Sequence, residues 1–263
     1  MPLREVMLKI QRHESLPDNV AVITFDDGFK NNYGAAFPLL KQLGLSASIF
    51  LVTDIIGTDK LLWPDELFML FMETRVNKID LTDFDLYAFD LTTINNKQEA
   101  LQAVIERLKA LKLDEKKKMI SYITLILSAD TDTTSYSENF KLLSWEEVDL
   151  MNKSGLIDFG GHTCTHEILS NLDDKTLNDQ IKSSCAQVSK YDKNLLFAYP
   201  NGRKQDFDAR AKAILKQINA LCSLTTISGL NPYSQDPYEL KRIGIGNDMT
   251  RHHFKISCSG AFN

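Results

Sequence analysis

Short apolar runs alternate with amphipathic stretches along most of the chain, regularly enough to assign elements. Val20 to Phe25 is a run of β-prone residues that reads as a buried strand, and Asn31 to Leu43 reads as a helix ended by Gly44. Ala47 to Thr53 is a second buried strand. Strand, helix and strand in so short a span form a βαβ unit, hence a parallel sheet. The same alternation resumes late in the chain. Ser144-Trp145-Glu146-Glu147 is a capping box opening a helix to about Lys153, and Leu156 to Gly161 is a short strand. Asp173 or Asp174 caps a helix running to about Lys190. Leu195 to Tyr199 is the next strand, halted by Pro200-Asn201-Gly202, and a helix around 206–219 follows. Leu221 to Thr226 and Leu240 to Ile245 complete the set of strands.

Residues 60–142 have a different character. Pro64-Asp65-Glu66 opens an apolar helix from Leu67 to Glu73, and polar, Asp/Thr-rich sequence follows. Two amphipathic helices are predicted around 97–112 and 114–128, and Ala129 to Asn139 reads as a loop. The region is expected to be a helical insertion in a single domain spanning 1–263. Parallel strands joined by helices, with chemistry at their C-terminal ends, fit an α/β fold of the βα-barrel kind.

Composition narrows the function classes. The 263 residues carry a net charge of −5 with no basic stripe, which sets nucleic-acid binding aside. The four cysteines, Cys164, Cys185, Cys222 and Cys258, are too widely spaced for a zinc ribbon or a redox pair and read as reduced core residues. No apolar stretch is long enough to span a membrane, and the N-terminus lacks a signal-peptide core. The chain as written is therefore expected to be soluble and cytoplasmic, or periplasmic or cell-surface if the native chain is longer.

The candidate chemistry begins where the first strand stops, at Asp26-Asp27-Gly28. Neighbouring side chains on a strand point to opposite faces, so both acids reach one site only if the backbone turns there, which Gly28 permits. Two acids this close repel, and a cation offsets that most simply. The second signal is His162-Thr163-Cys164-Thr165-His166, directly after the strand ending at Gly161. On a helical turn that spacing puts both rings on one face. Two imidazoles and a carboxylate make a frequent metal-ligand set and leave a coordination position for water. One of the two Asp residues is then a ligand, and the other is free to act as general base.

These residues carry a family resemblance. Thr24-Phe25-Asp26-Asp27-Gly28 and His162-Thr163-Cys164-Thr165-His166 resemble the first two motifs of polysaccharide deacetylases, carbohydrate esterase family 4, with the NodB homology domain. Leu61-Leu62-Trp63, Leu143-Ser144-Trp145-Glu146-Glu147, Phe197-Ala198-Tyr199-Pro200-Asn201-Gly202 and Thr225 to Asn231 extend the resemblance over nearly the whole chain. It implies a distorted (β/α) barrel of the NodB type and metal-dependent removal of N-acetyl groups from an N-acetylhexosamine-containing glycan. Asp26 is then the general base, and Asp27, His162 and His166 are the metal ligands. Zinc is the default ion, with cobalt or nickel as substitutes. The Tyr199-Pro200-Asn201 segment is the substrate and oxyanion side of the site, through the backbone N–H of Asn201. The partner is an acylated amino-sugar glycan of the bacterial surface or exopolysaccharide type.

The sequence departs from the family pattern at three points. Ala198 stands where many members have an Arg that orients the catalytic Asp. The usual last-motif His is missing from Arg242-Ile243-Gly244-Ile245-Gly246, and His252 and His253 are the nearest candidates for the general acid. A strand that normally precedes residues 3–28 in the family is not seen. The alternatives are a deformylase or O-deacetylase of a modified sugar, or a non-catalytic glycan-binding descendant. Trp63 and Trp145 are read as packing residues.

Overall fold

The computed structural model describes residues 1–128 and 137–259. By internal contacts the chain divides into two compact units, one made of Met1–Thr58 with Leu143–Asn263, the other of Asp59–Leu142.

The first unit is α/β. Its elements in order are α1 (Leu3–Gln11), β1 (Ile23–Phe25), α2 (Phe37–Leu43) and β2 (Ala47–Leu51), followed after the second unit by α7 (Trp145–Lys153), β5 (Ile157–Gly161), α8 (Asp174–Val188), β6 (Leu196–Ala198), α9 (Ala209–Gln217), β7 (Cys222–Ser228), β8 (Leu240–Arg242) and α10 (Arg251–Ser259). The strands form one six-stranded parallel sheet in the order β1-β2-β5-β6-β7-β8. It curls into a half-barrel of the expected NodB type. All five residues of β2 and all five of β5 are buried, as strands covered on both faces must be. Gly160 sits where β5 crosses close under its neighbours: a Cβ there would lie 2.6 Å from the Phe50 ring and 2.8 Å from the Leu196 carbonyl oxygen.

Local signals set most boundaries. The Ser144 capping box is present, with Ser144 Oγ accepting from Glu147 N and Glu147 Oε2 accepting from Ser144 N. Asp173 caps α8 and Asp208 caps α9, each by accepting from backbone N–H groups of the first turn. β1 is shorter than the apolar run because its pairing begins only where Ile23 meets Ala47 at the start of β2. The stretch predicted as one helix from Asn31 opens instead as a π-helical turn, Asn32–Ala36, before α2.

The sequence reading assigned no element before Val20, yet α1 is central to packing. Leu3 and Met7 join Phe50, Leu196, Ala198, Cys222, Leu224 and Leu240 in one buried cluster. Arg4 fastens the helix by pairing with Asp158 at the start of β5 and with Asp192 before β6.

The second unit holds α3 (Trp63–Glu73), an antiparallel pair β3 (Lys78–Asp80) and β4 (Ala88–Asp90), α4 (Ile94–Ala110), α5 (Leu113–Leu127) and the short α6 (Ser137–Phe140). It has its own core, with Leu67, Phe71, Ile79, Leu81, Val104, Met119 and Ile123 among its fully buried members. The ammonium of Lys97 caps α3 by donating to the Met72 and Thr74 carbonyls at 3.1 and 2.6 Å. The loop expected over Ala129 to Asn139 lies outside the described residues for 129–136, and its last part belongs to α6. Trp63 packs in this core with Lys116 over its ring, and Trp145 stacks on Tyr191 in the first unit. Of the cysteines, Cys164, Cys185 and Cys222 are buried as expected, whereas Cys258 is exposed on α10.

Candidate active site

The acid pair sits where β1 ends. Asp27 and Gly28 are both left-handed, with φ of 69° and 76°, and Gly28 N donates to the Asp26 carbonyl at 2.8 Å. This tight reversal ends the strand, so the alternation that sends neighbouring side chains to opposite faces no longer applies to the pair. Gly28 is confined as well as bent, since a Cβ would lie 2.8 Å from Leu51 Cδ2 and 2.9 Å from Ile56 Cδ1.

The two carboxylates then take different partners. Asp26 accepts two hydrogen bonds from Arg242 at the end of β8, Nη1 to Oδ1 at 2.8 Å and Nη2 to Oδ2 at 2.7 Å. Arg242 is itself anchored by donating from Nε to the Thr225 carbonyl at 2.7 Å. Asp27 faces the histidines: its Oδ1 lies 3.2 Å from His166 Nε2 and 3.5 Å from His162 Nε2. Arg242 was not among the expected site residues. Its signal was a basic residue at the C-terminal end of a strand, the edge where the other chemistry collects. It supplies to Asp26 the guanidinium that Ala198 cannot.

The histidine motif was expected on a helical turn, and the structure differs. Residues 162–166 form an irregular loop in which Thr163 and His166 are left-handed, with φ of 64° and 59°. Side chains hold that loop. Thr163 Oγ1 accepts from His166 N at 2.9 Å, and Gln180 Oε1 on α8 accepts from Cys164 N and Thr165 N at 2.9 and 3.1 Å. The two rings still converge, with centroids 5.1 Å apart.

The protonation pattern follows from burial and partners. His162 is 1% exposed, and burial lowers its pKa below the ordinary imidazole value, so the ring is neutral at neutral pH. Its Nδ1 lies 2.7 Å from the Ala198 carbonyl, which can only accept, so the ring proton is on Nδ1. The Nε2 lone pair therefore points at Asp27 Oδ1, another acceptor. Burial works to raise the Asp27 pKa, but His166, His162 and Arg242 more than offset it, and the carboxyl is held below its ordinary value. Asp27 Oδ1 is shielded from solvent and accepts no hydrogen bond of good geometry. Ligand atoms of Asp27, His162 and His166 all lie within 4.8 Å of one another. The His162 lone pair and the ionised Asp27 carboxylate, with the His166 imidazole beside them, fit a divalent cation.

The third motif forms the next wall. Tyr199 is fully buried with its ring turned inward, stacked on Phe207 at 4.0 Å, its hydroxyl donating to the Tyr238 carbonyl at 3.0 Å. Its side chain therefore packs in the core and does not face a substrate. The Pro200 carbonyl accepts from Gly202 N at 2.6 Å, and Thr226 Oγ1 donates to the Asn201 carbonyl at 2.5 Å. Asn201 is left-handed at the tip of this clamped turn, with φ of 57°. Its backbone N–H has no acceptor among the described residues, and its side-chain Nδ2 has none either. His252 and His253 are exposed on α10, and neither bonds to Asp26, Asp27, His162 or His166.

Comparisons with known proteins bear on the family and the fold. Residues 13–77 and 116–221 match the family model described as polysaccharide deacetylase. A 54-residue stretch is 37% identical to YxkH of Bacillus subtilis (strain 168), named a polysaccharide deacetylase; the match spans 20% of this chain and 19% of that protein. Among solved structures, the chain is similar to Streptococcus pyogenes deacetylase PplD in complex with acetate, with a TM-score of 0.59 and 17% identity over 98% of this chain and 78% of that one. IcaB from Ammonifex degensii gives a TM-score of 0.59 and 16% identity over 99% of this chain and 81% of that one.

Proposed function

The chain belongs to the polysaccharide deacetylase family, and from that premise we propose that it removes N-acetyl groups from an N-acetylhexosamine-containing glycan with the help of a divalent metal, zinc by default. The observation that carries this reading is the separation of the acid pair: Arg242 holds Asp26, while Asp27 faces His162 and His166.

Asp27, His162 and His166 would hold the ion. When bound, it would lower the pKa of a water and polarise the acetyl carbonyl. Asp26 takes the proton of the attacking water as the water oxygen bonds to the carbonyl carbon. Arg242 keeps that carboxylate aimed and balances its charge. The Asn201 N–H, in its clamped turn and without an acceptor among the described residues, donates to the oxygen on which negative charge develops. As the C–N bond breaks, the departing amine needs a proton. Among the described residues, the histidines that are not ligands, His13, His252 and His253, are exposed, so Asp26 returns the proton it took. The products are acetate and a free amino sugar.

The test is acetate release from N-acetylglucosamine oligomers, with metal analysis of the same samples. Asp26→Asn should retain the metal and lose at least about a hundredfold in turnover. A wild-type protein that holds no divalent metal and releases no acetate overturns the reading.

A further inference from the structure

The three residues that converge in the candidate site are held in different ways. Asp27 is set by the turn that ends β1. His162 runs on directly from β5: its N–H donates to the Leu51 carbonyl at 2.9 Å, and its Nδ1 lies 2.7 Å from the Ala198 carbonyl oxygen. His166 stands at the far end of the loop. The sheet's hold on that loop ends at its middle, where Thr53 N and Asp54 N, just past β2, donate to the Thr163 and Cys164 carbonyls at 3.2 and 3.0 Å.

The loop's path is an unfavourable one. Thr163 and His166 are left-handed, with φ of 64° and 59°, and a β-branched residue seldom adopts that conformation. Such a backbone persists only where its surroundings hold it. Gln180 supplies that hold from outside the loop. Its Oε1 is a carbonyl oxygen with two lone pairs, and it accepts twice, from Cys164 N at 2.9 Å and from Thr165 N at 3.1 Å. His166 N then donates to Thr163 Oγ1 at 2.9 Å.

Helix α8 carries Gln180 at a fixed height. Gly161, the last residue of β5, lets the helix come close, since a Cβ there would lie 3.1 Å from Ser184 Oγ and 3.5 Å from Cys185 N. Gln180 and Ser184 are one turn apart, so the face of α8 that rests on the strand end also reaches the loop. Farther along the helix, Gln187 Nε2 donates to Asp54 Oδ1 at 2.9 Å and ties α8 to the segment after β2 by a separate bond.

We propose that Gln180 is the positioning residue for His166 and thereby sets the affinity of the site for its divalent cation. This role rests on the metal-dependent deacetylase reading and deepens it, because the ligand set is then completed from α8 by a neutral amide that is not itself a ligand. Without the Gln180 acceptor the left-handed residues relax, and the His166 ring leaves the position in which its Nε2 is 3.2 Å from Asp27 Oδ1.

Calorimetric titration of the folded protein with zinc tests this. Gln180→Met keeps the reach of the side chain and removes the acceptor, and it should weaken zinc binding about 10- to 100-fold. Gln180→Glu keeps an oxygen for the two N–H groups and should restore most of the affinity. Gln187→Met, which breaks the other tie between α8 and the sheet's end, should leave the zinc Kd unchanged. The clamp is also read without metal: the Cys164 and Thr165 amides should exchange slowly with deuterium in the wild type and quickly in Gln180→Met. An equal zinc Kd in the wild type and Gln180→Met, an equal loss in Gln187→Met, or fast exchange of both amides in the wild type overturns the role of Gln180. A wild type that binds no zinc overturns the metal reading and this role with it, and is distinct from zinc binding equally to the wild type and Gln180→Met, which removes the role of Gln180 alone.

Discussion

Arg242 and Asp26 lie 216 residues apart in sequence and meet as a two-pronged ion pair, with N···O distances of 2.7 and 2.8 Å. Asp26 follows the first strand of the sheet and Arg242 ends the last. These are the two edges of the half-barrel, and among the described residues they share no backbone pairing. The contact therefore does two things. It joins the sheet's edges through side chains, and it fixes the orientation of the carboxylate proposed as general base.

Removing that support should cost turnover and spare metal loading. Arg242→Ala is expected to lower kcat about 10- to 100-fold, because a displaced base is a poor one, with metal content unchanged. Arg242→Lys should recover only part, since an ammonium cannot match both carboxylate oxygens. Wild-type kcat in Arg242→Ala would remove Arg242 from the mechanism.

Divalent metal should stabilise the wild type through the three convergent ligands. At a metal concentration a hundred times the Kd the gain is about 2.7 kcal/mol, read as a rise in Tm. His166→Ala and Asp27→Ala should abolish the rise. An undiminished shift in both variants would place the ion elsewhere.

The buried state of His162 predicts an acid limit for the metal-free protein. Burial lowers the folded pKa below the ordinary imidazole value of about 6.5, so in the window just below it the unfolded ring binds a proton that the folded one refuses. Unfolding then takes up protons, and stability falls as pH drops through that window. Urea titrations between pH 7.5 and 5 check the sign, with His162→Gln expected to flatten the slope.

Gly202 tests the clamped turn. Its φ is 65°, and a Cβ would lie 2.8 Å from Thr226 N. Gly202→Ala should lose about 1–3 kcal/mol by denaturant unfolding, and acetate release should fall with it as Asn201 is displaced. Unchanged stability would show that the turn relaxes freely.

Thiol labelling separates Cys258 from the rest. Burial pushes the Cys164 thiol up to about 11 and the Cys185 thiol up to about 12, and Cys222 is raised in the same way. At pH 8 the native protein should therefore titrate one fast thiol, at exposed Cys258, and four after unfolding. Two or more fast thiols in the native state would contradict the packing of α8 on β5.

Much of this was legible in the sequence because it is written locally. The capping box at Ser144 and the acid caps at Asp173 and Asp208 are readable from a few residues. The acid pair and the histidine motif each announce metal chemistry by residue type. Arg242 was missed because its meaning lies in a partner 216 residues away. The histidine loop was misread because its geometry is imposed by Gln180 on another element, which overrides the helical spacing rule. The pair β3 and β4 hid in polar sequence because only alternate residues, Ile79 and Phe89, are buried. Helix α1 hid because a charged surface face outweighs the few apolar residues it buries.

The position of α1 has a consequence for how the protein is made. The cluster that Leu3 and Met7 join is complete only when Leu240 is present, so the packing of the first helix is finished only after the last strand has been synthesised. The strands β2 and β5 are likewise neighbours across the whole second unit. Such high contact order slows folding and leaves sheet edges unpaired on the ribosome. Asp59–Leu142, with a core of its own, can condense first while the half-barrel waits for its final strand. Truncation just before Leu240 should therefore give a chain in which α1 is held less firmly and amide exchange is faster across β6 and β7 than in the full chain.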